Sequence, residues 1–190
     1  MAKYTKSKFK LFKNQTKNDF SFFNFENKFL KIELKKKNLV SKKINVNNSL
    51  IEREINRVKN PYFLTKGNKN NLAFILALIK ILRLNKNIFF RIVNNFKGLK
   101  YRQEIISSSK KFTFINDSKA TSFSSSVDVL ESLNKVFWIV GGIPKLGDKF
   151  LMKKSQYKKI KAYIFGKSSN YFIKQFKHKI NYESFNTLKR

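Results

Sequence analysis

The sequence lacks several residue types on which common protein chemistry depends. It contains no cysteine, which excludes disulfides, thiolate zinc sites and a cysteine nucleophile within its 190 residues. The single histidine, His178, excludes metal sites built from paired histidines. The longest apolar run, residues 72–82, contains Lys80 and falls short of the roughly 18 residues that span a bilayer. Because residues 1–10 are basic and no apolar stretch of a signal peptide follows them, we expect a soluble, reduced, cytoplasmic protein.

Apolar residues are abundant enough to form a core. Hydrophobic residues make up 42% of the chain and aromatic residues 15%, with 21 phenylalanines, so the sequence is not of the disordered class. The length allows one ordinary domain or two small ones and excludes a large multidomain enzyme complete in itself.

Negative charge is scarce. The chain has 42 lysines and arginines against 11 acidic residues, a formal net charge of +31. Such an excess favours a polyanionic partner such as RNA or DNA. A compositional bias is the favoured explanation, because lysine is accompanied by abundant asparagine, phenylalanine and isoleucine, the residues of AT-rich codons. The lysines are also spread along the chain, which is typical of a solvated surface.

In the first half, the spacing of apolar residues predicts helices and a few short strands. The predicted helices cover residues 4–13, 71–84 and 86–96, the second of them capped by Asn68 or Asn70. The first helix carries Tyr4, Lys8, Leu11 and Phe12 on one face. The predicted strands cover residues 20–25 and 30–34, with an edge strand near Ile44 and Val46. The strand at 30–34 rests on the alternation of Leu30, Ile32 and Leu34 with charged residues, and we expect a hairpin or meander.

The second half alternates strands with helices. Strands are predicted at residues 112–115, 136–140 and 162–165, and helices at 124–133 and 171–176. This alternation is typical of βαβ units and a parallel sheet. We place a domain boundary between residues 96 and 100, where the pattern changes.

Two strand ends carry polar clusters. Residues 116–121 read Asn-Asp-Ser-Lys-Ala-Thr, and residues 141–145 read Gly-Gly-Ile-Pro-Lys. Ligands collect at the carboxyl ends of parallel strands, and both clusters place a lysine beside a candidate anion site. The alternative is a pair of capped loops with solvated lysines.

Three motifs in order resemble the Mur ligase family, in particular the members that add D-glutamate to UDP-N-acetylmuramoyl-L-alanine. They are Phe-Lys-Gly-Leu-Lys-Tyr-Arg-Gln-Glu at 96–104, Asn-Asp-Ser-Lys-Ala-Thr at 116–121, and Gly-Gly-Ile-Pro-Lys at 141–145. Residues 4–8 look like the family's Tyr-x-x-x-Lys helix, and residues 67–71 are similar to its adenine-contacting Gly-x-His-Asn-x-x-Asn segment. The sequence departs from the pattern at Tyr101, where the family has histidine, and at Ser122, where it often has asparagine.

The resemblance implies an α/β fold in two parts. Residues 1–97 would be the C-terminal half of the ATP-binding middle domain, with strands and a helix pair. Residues 98–190 would be a truncated, Rossmann-like C-terminal domain with a mostly parallel sheet. The family's Gly-rich phosphate loop and its uridine-nucleotide-binding first domain are not found in the sequence, nor is its Ser-Pro-Ala-x-x-Ser-Phe-Asp segment. We therefore expect a fragment that is inactive alone and whose missing parts a separate chain could supply.

The resemblance also implies a reaction and a set of site residues. The family uses ATP and Mg²⁺ to convert a carboxylate to an acyl phosphate, which the amine of D-glutamate attacks during peptidoglycan precursor synthesis. The implied nucleotide contacts are Asn68, Asn71, Arg102 and Asp117. Lys119 would contact the phosphates, and Thr121 and Lys145 the carboxylates of D-glutamate. Lys8 corresponds to a lysine that the family carries as a carbamate ligand to Mg²⁺; Lys8, Lys119 and Lys145 are thus the implied catalytic residues.

Two other interpretations stay open from the sequence. A basic nucleic-acid-binding protein is supported by the net charge and the many aromatic residues, although dispersed lysines predict weak binding without sequence specificity. The other interpretation is that the chain is a degenerate remnant that has lost its function.

Overall fold

The computed structural model describes residues 2–187, with the side chains of residues 2–4 and 64 left out. The α-helices are α1 (Ala2–Lys13), α2 (Lys28–Lys35), α3 (Ser49–Glu52), α4 (Lys66–Ile81), α5 (Lys86–Asn95), α6 (Phe123–Ser132) and α7 (Ser169–Phe176). The strands are β1 (Phe20–Phe23), β2 (Lys42–Asn45), β3 (Glu104–Ser108), β4 (Thr113–Asn116), β5 (Val136–Gly141), β6 (Ile160–Phe165) and β7 (Asn181–Phe185). Short 3-10 turns lie at Ile55–Arg57, Pro61–Leu64 and Lys154–Lys159.

The chain forms two compact units. The first contains the residues up to Lys59 together with Asn68–Asn94, and the second contains Asn60–Gly67 together with the residues from Asn95 onward. The assignment of residues 1–97 and 98–190 to two ligase domains stays a prediction. The mixed α/β class with parallel strands is confirmed.

Helix α1 is confirmed, but its buried face differs from the predicted one. Thr5 and Phe9 are buried, whereas Lys8 is exposed and Leu11 is 69% exposed. Buried positions four apart lie on one side of a helix, and positions 8 and 11 lie outside that stripe. The side chain of Tyr4, which the sequence predicts on the same face, lies outside the described side chains.

The segment predicted as a strand at 30–34 is helix α2, and the expected hairpin or meander is wrong. The side chain of Asn27 accepts a hydrogen bond from the Leu30 N–H at 3.0 Å and so caps the helix. Leu34 is buried while Ile32 is 54% exposed, which is helical rather than alternating burial. Strand β1 instead pairs in parallel with β2, and α2 connects them as the crossover helix of a small βαβ unit.

Helices α4 and α5 confirm the predicted helix pair, with one correction. Helix α4 begins at Lys66, after the extended residue Thr65, so Asn68 and Asn70 lie inside the helix and do not cap it. One side of α4 is buried, including Leu72 and Leu76.

The second unit contains two sheets. Strands β3 and β4 form an antiparallel pair, so the strand predicted at residues 112–115 exists but its predicted place in the parallel sheet is wrong. Strand β3 has no counterpart in the sequence prediction because its residues are mostly polar and exposed. Strands β5, β6 and β7 form a parallel sheet in that order. Strand β7 also has no counterpart in the sequence prediction, because Asn181–Phe185 has two aromatic residues at a spacing of three and no alternating apolar face.

An aromatic core joins this parallel sheet to its helices. Its buried members come from α6, the loop after β5, strand β6, helix α7 and the residue before β7. They are Phe123, Leu130, Phe150, Ile160, Ala162, Ile164, Phe172, Phe176 and Ile180. Phe150 and Phe176 are fully buried, with ring centroids 5.1 Å apart in an edge-to-face arrangement. Among residues 2–187, no helix is both long enough and apolar enough to cross a membrane.

We expect Phe176→Ala to destabilise the second unit by about 3–5 kcal/mol, because it removes a fully buried ring and leaves a cavity. Urea unfolding followed by fluorescence measures this directly, since Trp138 is the only tryptophan and lies 5.4 Å from the Phe176 ring. Phe112→Ala is the matched control, because Phe112 is 56% exposed and its loss should cost little. Equal unfolding midpoints for the two variants would contradict this core assignment.

Candidate functional site

A cleft lies at the carboxyl end of β5, where the sequence predicts a ligand site. It has a volume of about 80 Å³. Its walls are the segment after β4, the start of α6, the end of β5 and the following loop; the lining residues are Ala120, Thr121, Ser122, Phe123, Ser126, Trp138, Val140, Gly141, Ile143, Pro144, Lys145, Asp148 and Phe172. Thr121 and Lys145 thus reach one cleft from two separate loops.

The cleft is lined by one lysine, Lys145, by the hydroxyl residues Thr121, Ser122 and Ser126, and by Asp148. Lys145 is exposed, and its ammonium forms no ion pair in the part of the chain that the structure describes. The Ser122 hydroxyl lies within hydrogen-bond distance, 2.9 Å, of both the Ser124 and the Ser125 hydroxyls. A lysine and hydroxyl groups that line the same cleft can all donate hydrogen bonds to the carboxylate of a small ligand.

Asp148 is a site residue that sequence reasoning missed. Its carboxylate accepts a hydrogen bond from the Phe123 N–H at 2.6 Å, at the first turn of α6. Negative charge at a helix N-terminus is stabilising, so Asp148 fixes the start of α6 against the loop after β5. The Tyr171 hydroxyl donates to the carbonyl of Asp148 and holds the same loop from α7. Because Asp148 and Phe123 are 25 positions apart in the sequence, no local pattern could reveal this contact.

The glycine pair at the end of β5 has two different roles. A Cβ at Gly141 would lie 2.4 Å from the carbonyl oxygen of Phe165, on the neighbouring strand β6. A Cβ at Gly142 would meet no atom within 4 Å, but Gly142 has a φ of +101°, a backbone conformation that residues with a side chain rarely adopt. The first glycine permits close approach of two strands, and the second turns the chain into the cleft loop.

Asp117 and Arg102 form a second cluster, near the carboxyl end of β4. The Gln103 N–H donates to Asp117 Oδ1 at 3.1 Å, and Oδ2 accepts no hydrogen bond from the described residues. Burial raises the pKa of Asp117 above its ordinary value of 3.8, although the Gln103 N–H and the charge of Arg102 act in the opposite direction. Burial likewise raises the pKa of Tyr62. The positive charge of Arg102 lowers this pKa, and the negative charge of Asp117 raises it. The three ionisable groups therefore interact within the second unit.

A strained loop brings Arg102 to this cluster. Tyr101 and Gln103 have positive φ angles of 63° and 50°, which cost free energy in residues other than glycine. The Glu104 carboxylate accepts from the Tyr101 N–H at 2.9 Å, and the Tyr101 carbonyl accepts from the Lys119 N–H at 3.0 Å. These bonds fix the loop against the segment after β4. The Lys119 side chain is exposed and is not part of the cleft lining.

The remaining predicted site residues lie in the first unit. Asn68 is buried and Asn71 exposed on successive turns of α4, with Asn71 Nδ2 3.5 Å from Asn68 Oδ1. Lys8 is exposed on α1. Within the described residues there is no group of three or more His, Cys, Asp or Glu side chains that could hold a metal ion.

Comparisons with known proteins match part of the chain. No family model matches. A UDP-N-acetylmuramoylalanine--D-glutamate ligase of Wolbachia from Brugia malayi is 32% identical over 116 residues, which are 61% of this chain and 23% of the relative. Ligases of the same name from Rickettsia felis and Francisella tularensis are each 32% identical, over 60% and 65% of this chain and 26% and 30% of the relatives. The matched part of the chain thus spans about a quarter of the length of these relatives, and the predicted resemblance to D-glutamate-adding ligases is confirmed.

We expect the stability difference between the wild-type chain and Asp117→Asn to depend on pH. The folded-state pKa of Asp117 is raised, so the folded protein binds more protons than the unfolded chain just above pH 3.8. Wild-type stability should therefore fall relative to the variant as pH rises from the ordinary pKa of 3.8 through the raised folded-state pKa. Asparagine can still accept from the Gln103 N–H, so that contact is kept. Urea unfolding at several pH values measures the difference, and a difference constant with pH would contradict the raised pKa.

We expect Gly141→Ala to destabilise the second unit more than Gly142→Ala. The Gly141 variant forces β5 away from the Phe165 carbonyl and should cost more than about 2 kcal/mol, whereas the Gly142 variant carries backbone strain of about 1–2 kcal/mol. Urea unfolding followed by Trp138 fluorescence compares the two. A larger loss for Gly142→Ala would show that the close approach of the strands is not the stronger constraint.

Proposed function

We propose that this chain is part of an ATP-dependent ligase that adds D-glutamate to UDP-N-acetylmuramoyl-L-alanine in peptidoglycan precursor synthesis. The observation that carries the proposal is that Thr121 and Lys145, which come from different motifs, line one cleft at the carboxyl end of β5. The confirmed similarity to ligases of that name supports it.

The proposed reaction has two chemical steps. The carboxylate of UDP-N-acetylmuramoyl-L-alanine attacks the terminal phosphorus of ATP and forms an acyl phosphate, with ADP as the leaving group. The amine of D-glutamate then attacks the acyl carbon, the new amide bond forms, and inorganic phosphate leaves with the amine losing a proton. Both steps pass through states with high negative charge, so the protein contributes mainly by positioning the reactants and stabilising that charge.

In this proposal Thr121 and Lys145 bind the carboxylates of D-glutamate. The Lys145 ammonium supplies a charge-assisted hydrogen bond, and the Thr121 hydroxyl supplies a donor from the other wall of the cleft. Neither group competes for the amine of the ligand, which stays free to attack. Lys119, exposed beside the cleft segment, would offset phosphate charge.

In this proposal Asp117 and Arg102 bind the nucleotide. The oxygen Oδ2 of Asp117 is available to accept a hydrogen bond from a ribose hydroxyl, while Oδ1 is held by the Gln103 N–H. Arg102 is exposed and can pair with a phosphate. The contacts of Asn68 and Asn71 with adenine stay a prediction.

The described residues do not assemble a Mg²⁺ site. A carbamate on Lys8 would supply two oxygens of the kind that Mg²⁺ prefers, but it requires a neutral amine, which burial among cations favours. Lys8 is exposed, and no acidic cluster of three lies among the described residues. The carbamate stays a prediction, and we derive no step through the metal.

Binding of D-glutamate tests the proposal. In a heteronuclear NMR titration of the 190-residue chain, D-glutamate should shift the amide signals of Thr121 and of the loop from Gly142 to Asp148, and L-glutamate should do so more weakly. Lys145→Met should weaken D-glutamate binding at least about tenfold, because it removes a charge-assisted hydrogen bond.

Lys149→Met is the matched control, since Lys149 is also exposed but does not line the cleft. Equal affinity of the Lys145 and Lys149 variants would remove Lys145 from the site. Absence of any D-glutamate-dependent shift in the cleft would contradict the assignment of the cleft to D-glutamate.

A further inference from the structure

The parallel sheet of the second unit has one packed face and one open face. On the packed face, Ile160, Ala162 and Ile164 of β6 are no more than 2% exposed. On the other face, Phe137 is 51% exposed and Ile139 is 65% exposed. Parallel sheets normally have both faces covered, so an open apolar face on one is unusual.

The open face carries a diagonal row of aromatic rings, one from each strand. The Phe137 ring on β5 lies 6.4 Å from the Tyr163 ring on β6, and the Tyr163 ring lies 6.3 Å from the Phe185 ring on β7. Phe185 is 46% exposed. We call Phe137, Tyr163 and Phe185 the aromatic row.

Two lysines lie close to rings of the aromatic row. Lys135 Nζ lies 5.7 Å from the centroid of the Phe137 ring, and Lys161 Nζ lies 5.2 Å from that of Tyr163. The carboxylate on this face, Glu183, is paired with Lys161 at 2.6 Å. The face is therefore not acidic, and it belongs to a chain with a net charge of +31.

We propose that the open face binds single-stranded nucleic acid, with bases stacking on the aromatic row and phosphates attracted by Lys135 and by the net positive charge of the whole chain. Flat rings with nearby lysines are the elements that bind unpaired bases without sequence preference. The ring spacing exceeds the roughly 3.4 Å between successive bases of a duplex strand, so the row suits an extended single strand. A second copy of the chain is disfavoured as the occupant, because two such cations repel. The proposal is independent of the ligase function.

Fluorescence anisotropy with the 190-residue chain tests it. The probes are labelled oligo(dT), oligo(U) and an abasic strand with the same number of phosphates, each of about 12 units. We expect both base-containing strands to bind at least about fivefold more tightly than the abasic strand, because each stacked base contributes to affinity. The tighter of the two strands distinguishes RNA from DNA as the preferred ligand.

The double variant Phe137→Ala with Tyr163→Ala should lose this advantage over the abasic strand. Phe114→Ala is the matched control, since Phe114 is 62% exposed on β4 and lies outside the row. A double variant that keeps the advantage, or an abasic strand that binds as tightly as oligo(dT), would overturn the proposal. Self-association that only the double variant abolishes would assign the face to a second copy instead and would also overturn it.

A direct measurement on the wild-type chain avoids any effect of the substitutions on folding. Ultraviolet crosslinking to a strand that carries 5-iodouracil, followed by mass spectrometry, should place crosslinks at Phe137, Tyr163 or Phe185. Crosslinks confined to other parts of the chain would rule out the open face.

Discussion

The packing of Phe123 against the aromatic core is the interaction on which the second unit depends. Its ring contacts those of Phe150, Phe172 and Phe176, with centroids 5.6–5.7 Å apart in edge-to-face arrangements. Phe123 is also the first residue of α6, and its N–H is bound by Asp148. The same residue thus fixes the helix to the sheet and forms part of the cleft, so the packing of the core sets the positions of Thr121 and Lys145.

Four acidic residues of the second unit hold backbone N–H groups, whereas Glu183 pairs with Lys161. The carboxylates of Glu104, Asp117, Glu131 and Asp148 each accept a hydrogen bond from a backbone N–H. A charged acceptor strengthens such a bond, and a loop that lacks regular secondary structure needs these partners for its backbone N–H groups. Lys161 is the lysine of this unit with an ion-pair partner among the described residues, and Lys179 donates to the carbonyl of Phe150. This division of roles explains how a chain with so little negative charge keeps its site loops ordered while its surface stays strongly basic.

The residues of the candidate site follow the ends of strands β4 and β5, and the start of helix α6 positions them. The segment after β4 supplies Asp117, Lys119 and Thr121, and the loop after β5 supplies Lys145 and Asp148, which then caps α6. The carboxyl end of a parallel strand such as β5 leaves backbone groups and a loop free to meet a ligand. Strand β4 belongs to the antiparallel pair, so its following segment reaches the cleft without being part of the parallel sheet. The open sheet face is a separate surface, because the side chains of a strand alternate between its two sides.

The sequence by itself determined the elements that have a strong local signal and the motifs that lie next to them. Helices α1, α4, α5, α6 and α7 and strands β1, β2, β4, β5 and β6 follow from runs or spacings of apolar residues. The resemblance of residues 96–145 to a ligase family follows from ordered motifs. Tertiary structure decided the elements whose local signal is weak or misleading. Residues 30–34 alternate like a strand but form α2, because the Asn27 cap and the burial of Leu34 stabilise a helix there. Strands β3 and β7 form only because partner strands pair with them, since their own residues are largely polar and exposed.

Three features of the second unit depend on residues that are distant in the chain: the capping of α6 by Asp148, the close approach of two strands at Gly141 and the open aromatic face. Contacts of that kind leave no local pattern in a sequence.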